Sequence, residues 1–125
     1  MIAGIGTDII EVERIEIKIS KNSGFREFVF SENEIKYCEA KTNKYEHYAA
    51  CFTAKEAFLK ALGTGWTEKI DFREIEVYHN EDGKPELKVS GITAKKINLT
   101  GNFKISVSLS HLKKIALAMV VLEKF

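Results

Sequence analysis

The sequence predicts an α+β fold in which an antiparallel sheet packs against one long central helix. Three observations predict it. Apolar residues recur at helical spacing from Tyr45 to Leu62, over about five turns. Residues 103–109 alternate between apolar and polar side chains, and residues 115–122 are almost entirely apolar. The short link at 110–114 joins these two strands antiparallel, and strands gathered after helices are typical of the α+β class.

The elements before the central helix follow from local patterns. Residues 2–10 are apolar and punctuated by glycines, which predicts a buried strand. Residues 11–20 place apolar side chains at helical spacing, and the Asn-Ser-Gly at 22–24 ends that helix. Ser31 and Glu34 have the spacing of a capping box, so we expect a short helix to begin there and to end near residue 38.

The elements after the central helix are shorter. Gly63 supplies the end of the long helix. Residues 75–77 alternate in the manner of a strand, and the Asn-Glu-Asp-Gly at 80–83 predicts a turn that leads to a second strand at 86–89. Residues 91–98 are expected to form a short helix before the final pair of strands.

Length and composition exclude several classes of protein. The 125 residues, of which 45% are hydrophobic and 30% charged, suit one domain that spans residues 1–125. The chain has 19 Lys and Arg against 18 Asp and Glu, so its net charge does not favour binding to nucleic acid. No signal peptide and no apolar window of about 18 residues is present, so we expect a cytoplasmic protein without membrane contact. Cys38 and Cys51 lack zinc or redox spacing and are expected to be reduced thiols.

Two carboxylates lie where the pattern calls for apolar side chains. Glu56 lies on the apolar face of the central helix, one turn after Phe52, and Asp8 lies in the apolar first strand. Burial of a carboxylate is costly unless a cation or hydrogen bonds meet it. Lys60 follows Glu56 by one helical turn. Two carboxylates beside a lysine predict a Mg²⁺ site, since Mg²⁺ takes one or two carboxylates together with water and substrate phosphates.

Each of these residues also has a purely structural interpretation. Asp8 could cap the helix that follows it, and Glu56 and Lys60 could form an intrahelical ion pair worth about 0.3–0.5 kcal/mol. The Gly-Thr-Gly at 63–65 could let a phosphate approach the backbone or could simply end the helix. His111 lies in the predicted hairpin loop, where a histidine is usually solvated.

Longer motifs resemble a known family. Residues 4–15, Gly-Ile-Gly-Thr-Asp-Ile-Ile-Glu-Val-Glu-Arg-Ile, resemble the opening of bacterial holo-(acyl-carrier-protein) synthase. Residues 52–65 resemble the family signature F-x-x-K-E-A-x-x-K-A-x-G-T-G position by position. The later motifs are matched in the right order by the Gly-Lys-Pro at 83–85, the Ser-Leu-Ser-His at 108–111 and the Ala-x-Ala-x-Val at 116–120. The chain thus resembles a 4'-phosphopantetheinyl transferase over nearly its whole length.

This resemblance implies a reaction and roles for individual residues. Enzymes of this family transfer the 4'-phosphopantetheine arm of coenzyme A to a serine of apo acyl carrier protein in fatty acid biosynthesis, and adenosine 3',5'-bisphosphate leaves. By match to the motifs, Asp8 and Glu56 would hold Mg²⁺, which also binds the coenzyme A pyrophosphate. Lys60 would contact the pyrophosphate and stabilise or protonate the leaving group. Either Glu56 or a metal-bound water that it positions would be the base for the serine hydroxyl.

The resemblance also implies binding residues and an assembly. The coenzyme A nucleotide site would be lined by Gly63, Thr64, Pro85, Ser110 and His111, with Lys44 as a further phosphate contact. An acidic carrier protein would dock on basic residues of the first helix and its neighbours, namely Arg14, Lys18, Lys21 and Arg26. Single-length members have the 4'-phosphopantetheinyl transferase fold and form homotrimers with active sites between subunits. The chain departs from the pattern at Cys51, where many relatives have arginine.

Two other functions stay open on the sequence. A non-catalytic, oligomeric module that binds coenzyme A or a nucleotide would use the carboxylates structurally and would bind without Mg²⁺. A different magnesium-dependent phosphotransferase would use another nucleotide. Modification of an apo carrier protein by coenzyme A distinguishes the transferase from both.

Overall fold

The N-terminal half of the chain contains one strand and four helices. The computed structural model describes residues 1–64, 70–97 and 102–125. The elements of this half are β1 (Ile2–Glu11), α1 (Val12–Ser20), α2 (Phe25–Val29), α3 (Glu32–Glu39) and α4 (Lys44–Leu62). The sequence predicts all of these except α2, whose five residues are too few for a helical period to be recognised. The predicted capping box is confirmed, because the Ser31 side chain accepts from Glu34 N and the Glu34 carboxylate accepts from Ser31 N.

The second half contributes most of the strands. Its elements are a 3₁₀ turn (Phe72–Glu74), β2 (Ile75–His79), β3 (Pro85–Val89), α5 (Gly91–Lys96), β4 (Phe103–His111) and β5 (Ile115–Lys124). The α+β class and the antiparallel pairing of the last two strands are confirmed. Asn98, the predicted end of α5, lies outside the described residues.

The strands form two antiparallel sheets. One has three strands in the order β1-β5-β4, and the other is the β2-β3 hairpin. In the larger sheet, Ala116 of β5 lies between Ile10 of β1 and His111 of β4. The prediction that Ser110 and His111 lie in the hairpin loop is wrong, because β4 continues through both residues before the chain turns.

Two glycines of β1 let α4 lie directly against the sheet. A Cβ at Gly4 would lie 2.0 Å from the carbonyl oxygen of Ala61, and a Cβ at Gly6 would lie 1.9 Å from that of Ala57. Any side chain at either position would therefore collide with the backbone of the helix. Glycine at both places gives the close approach that brings Asp8, two residues later, beside the same helix.

The burial of α4 differs from the one-sided pattern that the sequence predicts. Eleven of its 19 residues are buried, and they lie on all sides of the helix. The open stripe runs along Phe52, Glu56 and Lys60, which follow one another at four-residue intervals. The placement of Glu56 on the buried face is therefore wrong: it is half-buried and opens to the surface. Gly63 ends the helix as predicted, with a φ of 82°.

The outer face of the larger sheet is apolar and exposed. The inner positions of β5 are buried against α4, whereas the outer ones alternate with them and stay open. The large exposed side chains on this face are Ile5, Ile9, Ile115, Leu117 and Met119, each 42–63% exposed. An apolar surface of this kind usually marks a contact with another protein.

Two further observations concern the described residues. No described helix has the length and apolar character needed to cross a membrane. Cys38 and Cys51 are free and buried, as the spacing predicts.

Candidate active site

Asp8 lies on β1 and faces α4. Thr53 donates a hydrogen bond from Oγ1 to Asp8 Oδ2 over 2.5 Å, and Lys60 Nζ lies 3.1 Å from Asp8 Oδ1. The side chain of Asp8 is 17% exposed, whereas that of Lys60 is 55% exposed. The residue that flanks the start of α1 is Glu11, so Asp8 does not cap that helix. Asp8 is thus an anchored carboxylate on the wall of a cavity.

Glu56 is the second carboxylate of this cavity. A space of about 260 Å³ is lined by Asp8 and Glu56 together with Arg14 and Lys18 of α1. Burial raises the pKa of Glu56, the charge of Asp8 raises it further, and the charge of Lys60 opposes both. The intrahelical ion pair is not formed, since Lys60 reaches across to Asp8. Asp8 and Glu56 thus line one cavity, and Lys60 lies beside Asp8 rather than in the intrahelical pair that the sequence left open as an alternative.

The donor set suits Mg²⁺. Among the described residues, no group of three or more His, Cys, Asp or Glu side chains is arranged to hold a metal ion. Mg²⁺ does not need such a group, because water and substrate phosphates complete its octahedron. Asp8 and Glu56 are hard oxygen donors, and their mutual repulsion, visible in the raised pKa of Glu56, would be relieved by a divalent cation. The residues present therefore fit the ion.

The residue before Glu56 has the opposite environment. Lys55 is fully buried, and its Nζ donates to Glu34 Oε1 over 2.6 Å, to Phe72 O over 2.7 Å and to Val29 O over 2.8 Å. The other oxygen of Glu34 accepts from Val77 N and from the thiol of Cys51. This network joins α4 to α2, α3, the 3₁₀ turn and β2. Cys51 is therefore a donor to a buried carboxylate.

The residues expected at the nucleotide lie in a second cavity. Pro85 and His111 line a space of about 190 Å³ together with His47, His79 and Tyr37. Ser110 is exposed and does not line this cavity, although it lines a separate space of about 220 Å³ together with His111. At the C-terminal end of α4, Gly63 and Thr64 are exposed, and Gly65 lies outside the described residues. The structure thus brings together only part of the expected set within one chain.

The two cavities lie on different sides of α4. Phe52 and Glu56 of α4 line the first cavity, and His47 and Ala50 of the same helix line the second. A shallower space of about 220 Å³ shares Ile9 with the first cavity and His111 with the second. Asp8 and His111 therefore line different cavities of the same chain.

The basic residues have unequal surroundings. Arg14 and Lys18 line the carboxylate cavity, and Lys21 is exposed just after α1. Arg26 is engaged by Glu27 and Glu39, with its Nε 2.7 Å from Glu27 Oε2. Lys44 Nζ lies 3.3 Å from Glu39 Oε1, and Lys44 does not line either cavity.

The sequence misses three residues that hold the cavity-lining side chains or the central helix in place. Thr53 orients Asp8, and Glu46 accepts or shares a proton with His111 Nδ1 over 2.9 Å. Lys55 organises the elements around the helix. Their partners are 17 to 65 residues away along the chain, so periodicity could not indicate them. The one available signal is that Lys55 is a specified position of the signature, directly before Glu56.

Comparison with known proteins gives the class of this chain. It belongs to the 4'-phosphopantetheinyl transferase superfamily, whose family model matches residues 4–120. The relatives it resembles are holo-(acyl-carrier-protein) synthases. That of Cytophaga hutchinsonii is 47% identical, and the match covers 99% of each chain. The crystal structure of the synthase from Bacillus anthracis, in complex with CoA (3',5'-ADP), matches with a TM-score of 0.82 and 38% identity, over 100% of this chain and 99% of that one. The synthase of Neisseria meningitidis matches with a TM-score of 0.86 and 36% identity, over 99% of this chain and 100% of that one.

Proposed function

We propose that this chain is a magnesium-dependent holo-(acyl-carrier-protein) synthase that acts as a homotrimer in the cytoplasm. It transfers 4'-phosphopantetheine from coenzyme A to a serine of apo acyl carrier protein, a step that serves fatty acid biosynthesis. The observation that carries this proposal is the pair of carboxylates, Asp8 and Glu56, in one cavity with Arg14 and Lys18. Free cysteines in the buried core suit the reducing cytoplasm.

The chemistry of the step follows from the groups around that cavity. Asp8 and Glu56 would hold Mg²⁺, which, when bound, neutralises charge on the pyrophosphate. The serine oxygen forms a bond to the phosphorus that bears the pantetheine arm, while the bond from that phosphorus to the bridging oxygen breaks. The serine proton passes to Glu56, or to a water that Glu56 positions, and the raised pKa of this carboxylate suits a base. Lys60, held by Asp8, donates to the departing adenosine 3',5'-bisphosphate.

The carrier protein would approach over α1. Arg14 and Lys18 lie on the cavity itself, and the exposed Lys21 extends the basic edge. These cations would draw an acidic partner toward the carboxylates where its serine must react. Arg26 is a weaker candidate, since two glutamates already neutralise it.

The homotrimer is supported by two features of the single chain. The outer face of the β1-β5-β4 sheet exposes five large apolar side chains, more than an isolated surface needs. The residues expected at the nucleotide, Pro85 and His111, are separated from Asp8 and Glu56 by α4. A neighbouring chain seated on the sheet would cover the apolar face and supply the missing half of each site. The remaining positions expected at the nucleotide would then be met across that interface: Lys44, Gly63, Thr64 and Ser110.

Mass spectrometry of apo carrier protein tests the reaction. Incubation with coenzyme A, Mg²⁺ and the wild-type chain should add one phosphopantetheine, about 340 Da by its formula, and should release the bisphosphate. A metal chelator or Glu56→Gln should lower the rate by about a thousandfold while the circular dichroism spectrum stays the same. Coenzyme A binding that is independent of Mg²⁺, with no added mass on several carrier proteins, would instead establish a non-catalytic binding module.

Sedimentation and subunit mixing test the trimer. Met119→Lys should yield monomers. Tyr78, whose side chain is exposed to a similar extent on the other sheet, is the matched control, and Tyr78→Lys should leave the trimer intact. Mixing Glu56→Gln chains with His111→Gln chains should restore part of the activity, because mixed trimers contain sites in which both residues are wild type. A monomeric wild-type chain with full activity would contradict the proposal.

A further inference from the structure

The imidazole of His111 is held from two directions by the first turns of α4. His111 Nδ1 lies 2.9 Å from Oε1 of Glu46, and the two side chains are 27% and 19% exposed. The ring of His47 packs against the His111 ring at 5.0 Å between centroids and at 65° between planes. One contact fixes the position of Nδ1, and the other fixes the plane of the ring.

The carboxylate also determines where the proton lies. The hydrogen bond to His111 is the main reason that the pKa of Glu46 is lowered, so Glu46 is ionised at neutral pH. An ionised carboxylate only accepts, and Nδ1 must therefore carry the hydrogen. Nε2 is left for a ligand, and within the described part of the chain it has no hydrogen-bond partner. When the ring is doubly protonated, Nε2 offers an N–H backed by a carboxylate.

The other rings of this cavity do not offer the same chemistry. Burial lowers the pKa of both His47 and His79, and the charge of Lys41 lowers each further. His79 is stacked on Tyr37 at 4.1 Å between ring centroids and 11° between planes, so it forms a flat wall. The remaining titratable groups that line the cavity are Glu34, Cys38 and Cys51. Among these described residues, only the His111 ring is hydrogen-bonded to a carboxylate.

We propose that Glu46 is a positioning residue: its carboxylate holds the His111 ring through Nδ1–H, so that a protonated Nε2 donates to a phosphate oxygen of coenzyme A. This inference rests on the proposed function for its ligand and on the Glu46–His111 contact for its geometry. Glutamine at position 46 could donate or accept at Nδ1, so the fixed direction would be lost. A neutral glutamine would also offer no counter-charge to a ring that donates from both nitrogens, so the contact from Nε2–H to the phosphate, and with it binding, would weaken.

¹⁵N NMR spectroscopy tests whether Glu46 positions the His111 ring, and it needs no enzymatic turnover. In ¹⁵N-histidine protein, the His111 signals are identified by their loss in His111→Gln. At a pH where the ring is neutral, the wild-type chain should show the hydrogen on Nδ1. Glu46→Gln should show a mixture of the two tautomers, and Glu46→Asp should keep mainly the wild-type form. Glu32→Gln, which removes an exposed carboxylate of α3, should leave the spectrum unchanged. An unchanged tautomer in Glu46→Gln would overturn the proposal.

Binding and kinetics test the consequence. Glu46→Gln should raise KM and Kd for coenzyme A about tenfold, with kcat and KM for the carrier protein within about twofold. The loss should be smaller for dephospho-coenzyme A if the bound group is the 3'-phosphate, and equal if it is the pyrophosphate. In a chain that already carries His111→Gln, adding Glu46→Gln should not change KM or Kd for coenzyme A further. A uniform fall in kcat, or an equal loss in that background, would mean that Glu46 acts through the fold and would overturn the proposal. If the wild-type chain transfers nothing, the proposed function fails while the tautomer and the Kd still decide the role of Glu46.

Discussion

Removing the buried ion pair between Lys55 and Glu34 is the strongest test of what stabilises this fold. Lys55→Met removes the ammonium and keeps a flexible apolar stem of similar length. The change leaves the Glu34 carboxylate, itself 1% exposed, without a cation in the protein interior. It also leaves the carbonyl oxygens of Val29 and Phe72 without their shared donor.

The expected magnitude follows from these contacts. Removal of one partner from a buried ion pair costs about 3–5 kcal/mol, because the remaining charge is uncompensated. Glu34 keeps hydrogen bonds from Ser31 N, Val77 N and Cys51 Sγ, which argues for the lower half of that range. A domain of this size has a free energy of unfolding of about 5–15 kcal/mol. Lys55→Met should therefore lose about 3–4 kcal/mol, a large part of the total.

Urea unfolding followed by circular dichroism measures this loss. With a slope of about 2 kcal/mol per molar, the midpoint should fall by about 1.5–2 M. The measurement is repeated at several protein concentrations, since dissociation of an oligomer would move the midpoint as well. Lys60→Met is the matched control: its ion pair with Asp8 is 55% exposed on the lysine side, so its stability should change by less than about 1 kcal/mol while transfer is lost.

The double variant Lys55→Met with Glu34→Gln separates charge from packing. Neutralising Glu34 removes the buried charge, so the double variant should be at least about 1 kcal/mol more stable than the sum of the single changes. Additive losses, or a Lys55→Met protein within about 1 kcal/mol of wild type, would refute the assignment of Lys55 as the charge that holds α4 to its neighbours.

Three further predictions concern the scaffold. Gly6→Ala places a Cβ 1.9 Å from the Ala57 carbonyl oxygen, and we expect a loss of about 3 kcal/mol and a Tm about 10 °C lower; an unshifted melting curve would contradict this. Ser31→Ala removes the capping box of α3 and should cost about 1 kcal/mol in urea unfolding without loss of transfer. Burial raises the pKa of Cys38 to about 12 and that of Cys51 well above its ordinary value. Neither thiol should be alkylated by iodoacetamide at pH 8 unless the chain is unfolded, and rapid labelling of the native protein would disprove it. Above about pH 9 the unfolded thiols release protons that the folded ones keep, so stability should fall by at most about 1.4 kcal/mol per pH unit for each.

Local patterns predict most of the elements of this fold. The helix of 19 residues, the capping box and the strand alternation each depend on residues within a few positions of one another. The ends agree to within one or two residues because caps and glycines are local signals as well. Two elements are exceptions, α2 and the 3₁₀ turn at Phe72–Glu74. Each has only three to five residues, too few for a helical period, and α2 follows a left-handed Gly24.

The error about Glu56 arises because periodicity cannot identify a central helix. A helix that is packed on every side has no single apolar face, and its most open stripe can still carry aromatic residues such as Phe52. The pattern therefore directs attention to Glu56 for a mistaken reason, although the site it leads to is a real cavity. Lys55 shows the converse. A lysine on a helix is expected at the surface, and only the distant Glu34, Val29 and Phe72 make its burial possible.

Lys55 and Glu56 are adjacent on α4 but have different surroundings: Lys55 is buried in the ion pair with Glu34, and Glu56 lines the cavity with Asp8. Successive residues on a helix point about 100° apart, so one position can face the interior while the next faces a cavity. The ammonium of Lys55 binds α2, the Glu34 carboxylate of α3 and the 3₁₀ turn on one side of the helix, which fixes the rotation of α4 about its axis. The same rotation determines where Glu56 stands relative to Asp8, whose own place is set by the close approach of Gly6 to the helix backbone. Loss of the buried pair would therefore let the helix turn and separate the two carboxylates, so that even a folded Lys55→Met protein should lose affinity for the Mg²⁺ that we propose Asp8 and Glu56 hold.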